Sequence, residues 1–182
     1  MTTGNKTIEL IEKARQMRET SSGPEVAAFV AKTVHSGPKA VDKNGVIYSA
    51  HPRRVSLIVD AFFASEPSEL HSPAVQAAWL HDVVEDSLEH FGEQVTLEHL
   101  GLMGFGSDIL ETVDLLTKKE NYIEAEYLDK IAKHQIARIV KFADLIDNTS
   151  PLRRRGLGSG LRGRYSRYWQ RLVVEDTFFN HR

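Results

Sequence analysis

His51, His81, Asp82 and Asp144 are the residues of this chain whose types could do chemistry together. Two imidazoles and two carboxylates make a borderline-hard donor set, suited to Mn²⁺, Fe²⁺, Zn²⁺ or a similar divalent ion. His81 and Asp82 are neighbours in the run Ala-Val-Gln-Ala-Ala-Trp-Leu-His-Asp-Val-Val-Glu-Asp at 74–86. That run reads as one helix, apolar on nearly every side, and such a helix is normally buried. Helical spacing sets His81 above Glu85 and brings Asp82 near Glu85 and Asp86. Three carboxylates so close in a low-dielectric place need a compensating positive charge, either a bound cation or Arg and Lys partners. The competing reading is a helix whose end emerges into solvent. Asp144 poses the same problem a second time, because Ile139, Val140, Phe142, Ala143, Leu145 and Ile146 surround it and Asn148 follows four residues on.

The elements that must position these groups are helices. Apolar residues recur at helical periods, and alternating strand patterns of useful length are missing, so the fold class expected is all-α. Residues 5–19 read as a helix with Ile8, Ile11 and Ala14 on one side, and 25–35 as a second helix ending near His35. A Gly- and Pro-containing loop spans 36–48. Ser49-Ala-His-Pro52 starts another helix, with Val55, Ile58, Val59 and Phe62 facing the core and Ser65-Glu-Pro67 ending it. Ser72 and Pro73 open the 74–86 helix as cap and first-turn residue. Helical pieces follow at 96–102, 107–116, 122–133 and 135–148, with a polar turn at 117–121. The last stretch carries Arg153, Arg154, Arg155, Arg162, Arg164, Arg167 and Arg171, broken by Gly156, Gly158, Gly160 and Gly163. Beyond the glycines, Tyr165, Tyr168, Trp169, Leu172 and Val173 read as a final helix on the core.

The 182 residues suit one domain spanning 1–182 with a full core. Hydrophobic residues are 41% and charged residues 26%, the balance of an ordinary soluble protein. The net charge of −2 advertises no nucleic-acid or membrane partner. No run approaches the ~18 apolar residues of a membrane span, and the start leads into a charged helix rather than a signal sequence. Cysteine is absent, which rules out disulfides, thiolate ligands and a Cys nucleophile and fits a cytoplasmic protein.

Three separated motifs therefore converge: His51-Pro52, His81-Asp82 and Asp144. In their wider context, Tyr48-Ser-Ala-His-Pro52, Leu80-His-Asp-Val-Val-Glu-Asp-Ser87, Phe91-Gly92, Leu116-Thr-Lys118 and Val140-Lys-Phe-Ala-Asp-Leu-Ile-Asp-Asn148, the chain resembles the HD superfamily of metal-dependent phosphohydrolases. More narrowly it is similar to the hydrolase domain of RelA/SpoT-type proteins and the small stand-alone alarmone hydrolases. The resemblance spans roughly residues 24–155, leaving an Arg-rich C-terminal helix at 156–182. It implies an all-α fold, His51, His81, Asp82 and Asp144 as metal ligands, most simply for Mn²⁺, and Glu85 and Asp86 as the acidic pair that handles the attacking water. Asn148 then contacts substrate near ribose and phosphate, with Lys39, Lys43 and Tyr48 completing the substrate-binding set. The implied activity is removal of the 3′-pyrophosphate of (p)ppGpp.

One departure bears on the substrate. The Arg-Lys pair that packs on the nucleotide in those enzymes falls on Ala40 and Val41 here, with Lys39 and Lys43 nearby but lacking arginine's flat face. This motivates a second enzyme reading, with a nucleoside monophosphate or a nicotinamide dinucleotide phosphate as substrate. A third reading is a non-catalytic module that holds a metal or nucleotide. Asp147 reads as a helix-end carboxylate or one that supports a ligand. His35 reads as a cap or as a contact to phosphate, and His71, His90, His99, His134 and His181 as surface or packing residues. Lys118 and Lys119 face either substrate phosphates or solvent. The arginine stretch can grip phosphate, bind nucleic acid or face solvent or another subunit of a homo-oligomer; the acidic overall balance argues against a dedicated nucleic-acid binder.

Overall fold

A computed structural model describes residues 5–42, 44–65, 68–154 and 158–174, and among these the chain is all-α, without a strand. Its centre is helix α4 (His71–Leu80). Ala74, Ala77, Ala78 and Leu80 have no exposed surface, and Val75, Gln76 and Trp79 are buried too. Three alanines on one helix let neighbours approach closely, and α4 packs on α2 (Gly23–Val34), α3 (Ala50–Phe62), α7 (Ser107–Leu116) and α9 (Gln135–Thr149). Val26, Val30, Val34, Val55 and Val59 fill the spaces between them with no exposed surface. Trimming Leu80 to Ala in such a core costs about 2–5 kcal/mol.

The 74–86 run is not one helix. α4 stops at Leu80 and α5 (Val83–His90) begins after a break at His81 and Asp82. Asp82 sits at φ −102° and ψ −4°, off the helical values and in the region that turn and active-site residues favour. Side chains of adjacent residues in an unbroken helix point about 100° apart. The break removes that constraint, so His81 and Asp82 can aim at one place. Leu88 on α5 is exposed.

The N-terminal half is fixed by caps. The Asn5 side chain accepts the Thr7 and Ile8 amide hydrogens at the start of α1 (Lys6–Met17), and Ser22 and Glu25 form a capping box at α2. The buried face of α1 is Thr7, Leu10 and Ala14, whereas Ile8 is exposed, so the expected face is rotated. Phe62, expected in the core, is also exposed at the end of α3. Ser72 does not cap α4, which starts one residue earlier; its hydroxyl instead accepts a hydrogen bond from Gln76 Nε2 at 3.2 Å. Between α2 and α3 the loop closes on itself through a single antiparallel bridge of Val41 with Ile47, turning at Gly45 with φ +75°, a left-handed value that glycine adopts freely. Asp42 Oδ1 holds that turn by accepting the Asn44 and Val46 amides, at 2.8 and 3.0 Å.

α6 (Leu97–Leu102), α7 and α8 (Glu124–Lys133) run to α9, the second helix with acids inside it. His99 joins the Thr96 capping box of α6, and His134 caps α9 by accepting the Ala137 amide. Ile146 is exposed on α9, although Asp144 and Leu145 beside it are buried. After α10 (Pro151–Arg154), α11 (Ser159–Val174) packs on α8 and α9 through buried Tyr168 and Leu172, while Val173 is exposed. Arg167 and Arg171 pair with Glu124 and Asp129 on α8, which accounts for part of the arginine stretch. Exposed pairs of this kind contribute at most about 1 kcal/mol each. Lys43, Glu66, Pro67, Arg155, Gly156 and His181 lie outside the described residues. No helix among the described residues is long and apolar enough to cross a membrane.

Candidate metal centre

The four candidate ligands come from three elements and meet. His51 stands in the first turn of α3, His81 and Asp82 at the α4–α5 break, and Asp144 in the middle of α9. His51 Nε2 lies 3.2 Å from Asp144 Oδ1, 3.4 Å from Asp82 Oδ2 and 3.3 Å from His81 Nε2. His81 Nε2 lies 3.2 Å from Asp82 Oδ2 and 3.8 Å from Asp144 Oδ1. Donors bound to one tetrahedral ion at about 2.0–2.2 Å are about 3.3–3.6 Å apart. The observed spacings bracket that range. His51, His81 and Asp82 each offer one donor atom within 4.8 Å of the others, a group that can hold a divalent ion, and Asp144 Oδ1 stands against both imidazoles beside it.

Both imidazoles are turned for that role by what their other nitrogens do. His51 Nδ1 donates to Asp147 Oδ2 at 2.7 Å, and His81 Nδ1 donates to the Ala78 carbonyl at 2.8 Å. Each bond spends the Nδ1 proton and leaves Nε2 to face the centre, the arrangement in which a metal-binding histidine is oriented by a second hydrogen bond. Asp147 is itself pinned: Arg54 Nε reaches Oδ1 at 2.5 Å and Arg153 Nη1 reaches Oδ2 at 3.1 Å. Asp147, which the sequence placed at a helix end or behind a ligand, is buried and stands behind His51.

The carboxylates are likewise held. Lys141 Nζ donates to Asp144 Oδ2 at 2.8 Å, and Asn148 Nδ2 donates to Asp144 Oδ1 at 2.5 Å. The Tyr48 hydroxyl donates to Asp82 Oδ2 at 2.8 Å. Burial by itself would raise the Asp144 pKa, but Lys141 and His51 hold the carboxyl well below the usual range. Burial would likewise lower His51; hydrogen bonds to Asp144, Asp147 and Asp82 overcome it and push the imidazole up to about 10. The carboxylates around His51 thus favour positive charge at the centre.

The remaining expected residues divide. Asp86, Glu85, Asn148, Tyr48 and Lys39 line one cavity of about 320 Å³ over the four donors. Glu85 is bound on its outer side to Lys118, which offers both its amide (3.1 Å) and its Nζ (3.0 Å). Asp86 is less exposed; burial and the negative charges of Asp82 and Glu85 push its carboxyl up to about 7. Asn148 and Tyr48, expected to bind substrate, line the cavity while each also bonds a donor carboxylate. Ala40 is buried, and Val41 lines the cavity. Lys119 pairs with Asp114 on α7. His71 pairs with Asp60 on the surface at 2.7 Å.

Three features went unread in the sequence. Lys141 is buried, three residues before Asp144 on the same helix face, and that spacing was a usable signal. Arg153 belongs to Asp147 rather than to a solvated arginine stretch; nothing local in the sequence distinguishes it from its neighbours. His35 and His90 are hydrogen-bonded to each other through their Nδ1 atoms at 2.8 Å, a contact across 55 residues. Comparison with protein-family models and with curated proteins finds nothing that matches this chain.

Proposed function

We propose that this protein is a metal-dependent phosphohydrolase of the HD type acting on a nucleotide, with the 3′-pyrophosphate of (p)ppGpp as its substrate bond and Mn²⁺ as its metal. The observation that carries the reading is the convergence of His51, His81, Asp82 and Asp144 on one point beneath a cavity whose wall includes Lys39, Lys118, Lys141, Arg153 and Arg164. Two imidazoles and two carboxylates suit Mn²⁺, Fe²⁺ or Zn²⁺, and lysine and arginine suit phosphate oxygens. The bound ion supplies Lewis acidity and acidifies water at neutral pH.

The chain's own side chains do the rest. Asp86, held near neutrality by burial and by its acidic neighbours, is basic enough to take a proton from an attacking water. Glu85, the residue before Asp86 on α5 and fixed by Lys118, orients that water. Asn148, anchored on Asp144, lines the cavity, and so does Lys39 from the loop side. Tyr48 keeps Asp82 in place by its hydroxyl; burial and the nearby carboxylates push its pKa well up, so it remains a donor.

The loop favours a second reading of the substrate. With Ala40 buried and Val41 on the cavity wall, no arginine of this loop stacks on a guanine, which suits a nucleoside monophosphate or a nicotinamide dinucleotide phosphate equally. The test is incubation of Mn²⁺-loaded protein with ppGpp, GMP and NADPH, resolving pyrophosphate from orthophosphate. Pyrophosphate from ppGpp alone supports the alarmone substrate, and orthophosphate from one of the others supports the second reading. Absence of any release contradicts both.

A further inference from the structure

A second group of ligating side chains lies beside the same cavity, whose wall includes two of them, Asp86 and His90. Asp86 and His90 are four residues apart on α5 and so share a face, the spacing with which a helix offers two ligands to one ion. His35, at the C-terminal cap of α2, faces them from across the helix packing. Each of the three offers one donor atom, and these atoms lie within 4.8 Å of one another. His35 Nδ1 and His90 Nδ1 are 2.8 Å apart, so two neutral rings share one proton at that point. His35 has no exposed surface, and its Nε2 has no hydrogen-bond partner.

The approach is built into the backbone. Gly37, two residues after His35, lies against the His90 carbonyl so closely that a Cβ there would sit 1.9 Å from the oxygen. Only glycine lets the end of α2 and the end of α5 come this near. Tyr48 then fills the space between the two clusters, its ring 4.6 Å from His90, 5.0 Å from His35 and 5.7 Å from His51. A hydrogen bond between two histidines would form without Asp86, yet Asp86 is turned to the same spot.

We propose that His35, Asp86 and His90 form a second cation site that takes a divalent transition-metal ion of the zinc or manganese class, beside the centre of His51, His81, Asp82 and Asp144. Two nitrogens and one carboxylate oxygen leave open positions for water or a phosphate oxygen. Burial pushes His35 down to about 3, so protons do not compete for its ring at neutral pH. A cation there also offsets the charge of Asp86 among Asp82 and Glu85, and with that ion bound Asp86 would be a ligand rather than the proton acceptor, leaving the water to Glu85. The site stands whether or not the protein hydrolyses phosphate, because it is read from the ligand cluster alone.

The test is metal stoichiometry on the full chain, stripped with chelator, dialysed against Zn²⁺ or Mn²⁺ and measured by elemental analysis. Wild-type protein should hold two ions per chain. His90→Ala and the near-isosteric Asp86→Asn should each hold one, and so should His51→Ala, which loses the other centre. Circular dichroism establishes that each variant is folded, and Asp86→Asn decides the matter where His90→Ala is not. One ion per wild-type chain, or two retained by Asp86→Asn, overturns the proposal and leaves His35 and His90 a packed hydrogen-bonded pair. Loss of the ion in His51→Ala from a wild type that binds only one would leave the first centre intact as a reading and remove only this one.

Discussion

Asp147 Oδ2 accepts the Nδ1 proton of His51 at 2.7 Å while Arg54 and Arg153 hold the same carboxylate from outside. The consequence is that His51 reaches the centre with its orientation already set. Replacing Asp147 with Ala releases the ring and strands two arginines. Metal affinity should fall about 10–100-fold, the usual cost of losing a partner behind a ligand. Competition against a chromogenic chelator measures it, and unchanged affinity would show that packing alone orients His51.

Lys141 is a buried ammonium whose partner is Asp144. Lys141→Met removes the cation and leaves the carboxylate, the kind of half-broken buried pair that costs about 3–5 kcal/mol. A divalent ion would restore positive charge next to Asp144. The variant should therefore lose most stability in chelator and regain much of it with Mn²⁺, read by urea denaturation with and without metal. An equal loss in both conditions would mean that the ion does not compensate Asp144.

Asp86 gives a pH dependence of defined sign. Its folded carboxyl titrates near 7 and its unfolded one near the ordinary value of about 4. Between those values the folded chain binds the extra proton, so metal-free stability falls as pH rises from about 4 to 7 and then levels. Asp86→Asn should match wild type near pH 4 and exceed it at pH 8, by at most about 4 kcal/mol for a shift of this size and by less to the extent that solvent screens the half-buried carboxylate. Denaturation at the two pH values checks this; a variant less stable at pH 8 reverses the sign.

Glu85 lies in the cavity wall without being one of the four donors. Glu85→Gln keeps its size and removes its charge. It should lower kcat about 10²-fold or more while the ion stays bound, as expected for a group that acts on the water. Turnover and elemental analysis on the same preparation separate the two effects, and a variant with wild-type kcat removes Glu85 from the reaction.

Much of this was legible because the signals are local. Apolar runs at helical period report all-α structure, and acids inside such runs report groups that need a positive partner, as at Asp82 and Asp144. Where the sequence misled, the cause was tertiary. A continuous helix through 74–86 satisfies periodicity, but His81 and Asp82 could not then share a target, and the break at Asp82 resolves that conflict. Ile8 and Phe62 fit an apolar face by period, yet among the described residues both stay exposed. His90 has no pattern of its own; its role depends on Gly37 and His35, more than 50 residues away by the 55-residue separation of the two histidines. Arg153 looks like its neighbours until α10 turns it back onto Asp147.

The most direct measurement is a crystal structure of the Mn²⁺-loaded protein with anomalous data at the manganese edge. The account predicts a peak bonded at about 2.0–2.3 Å to His51 Nε2, His81 Nε2, Asp82 and Asp144. Ordered side chains at those positions with no anomalous peak among them would contradict it.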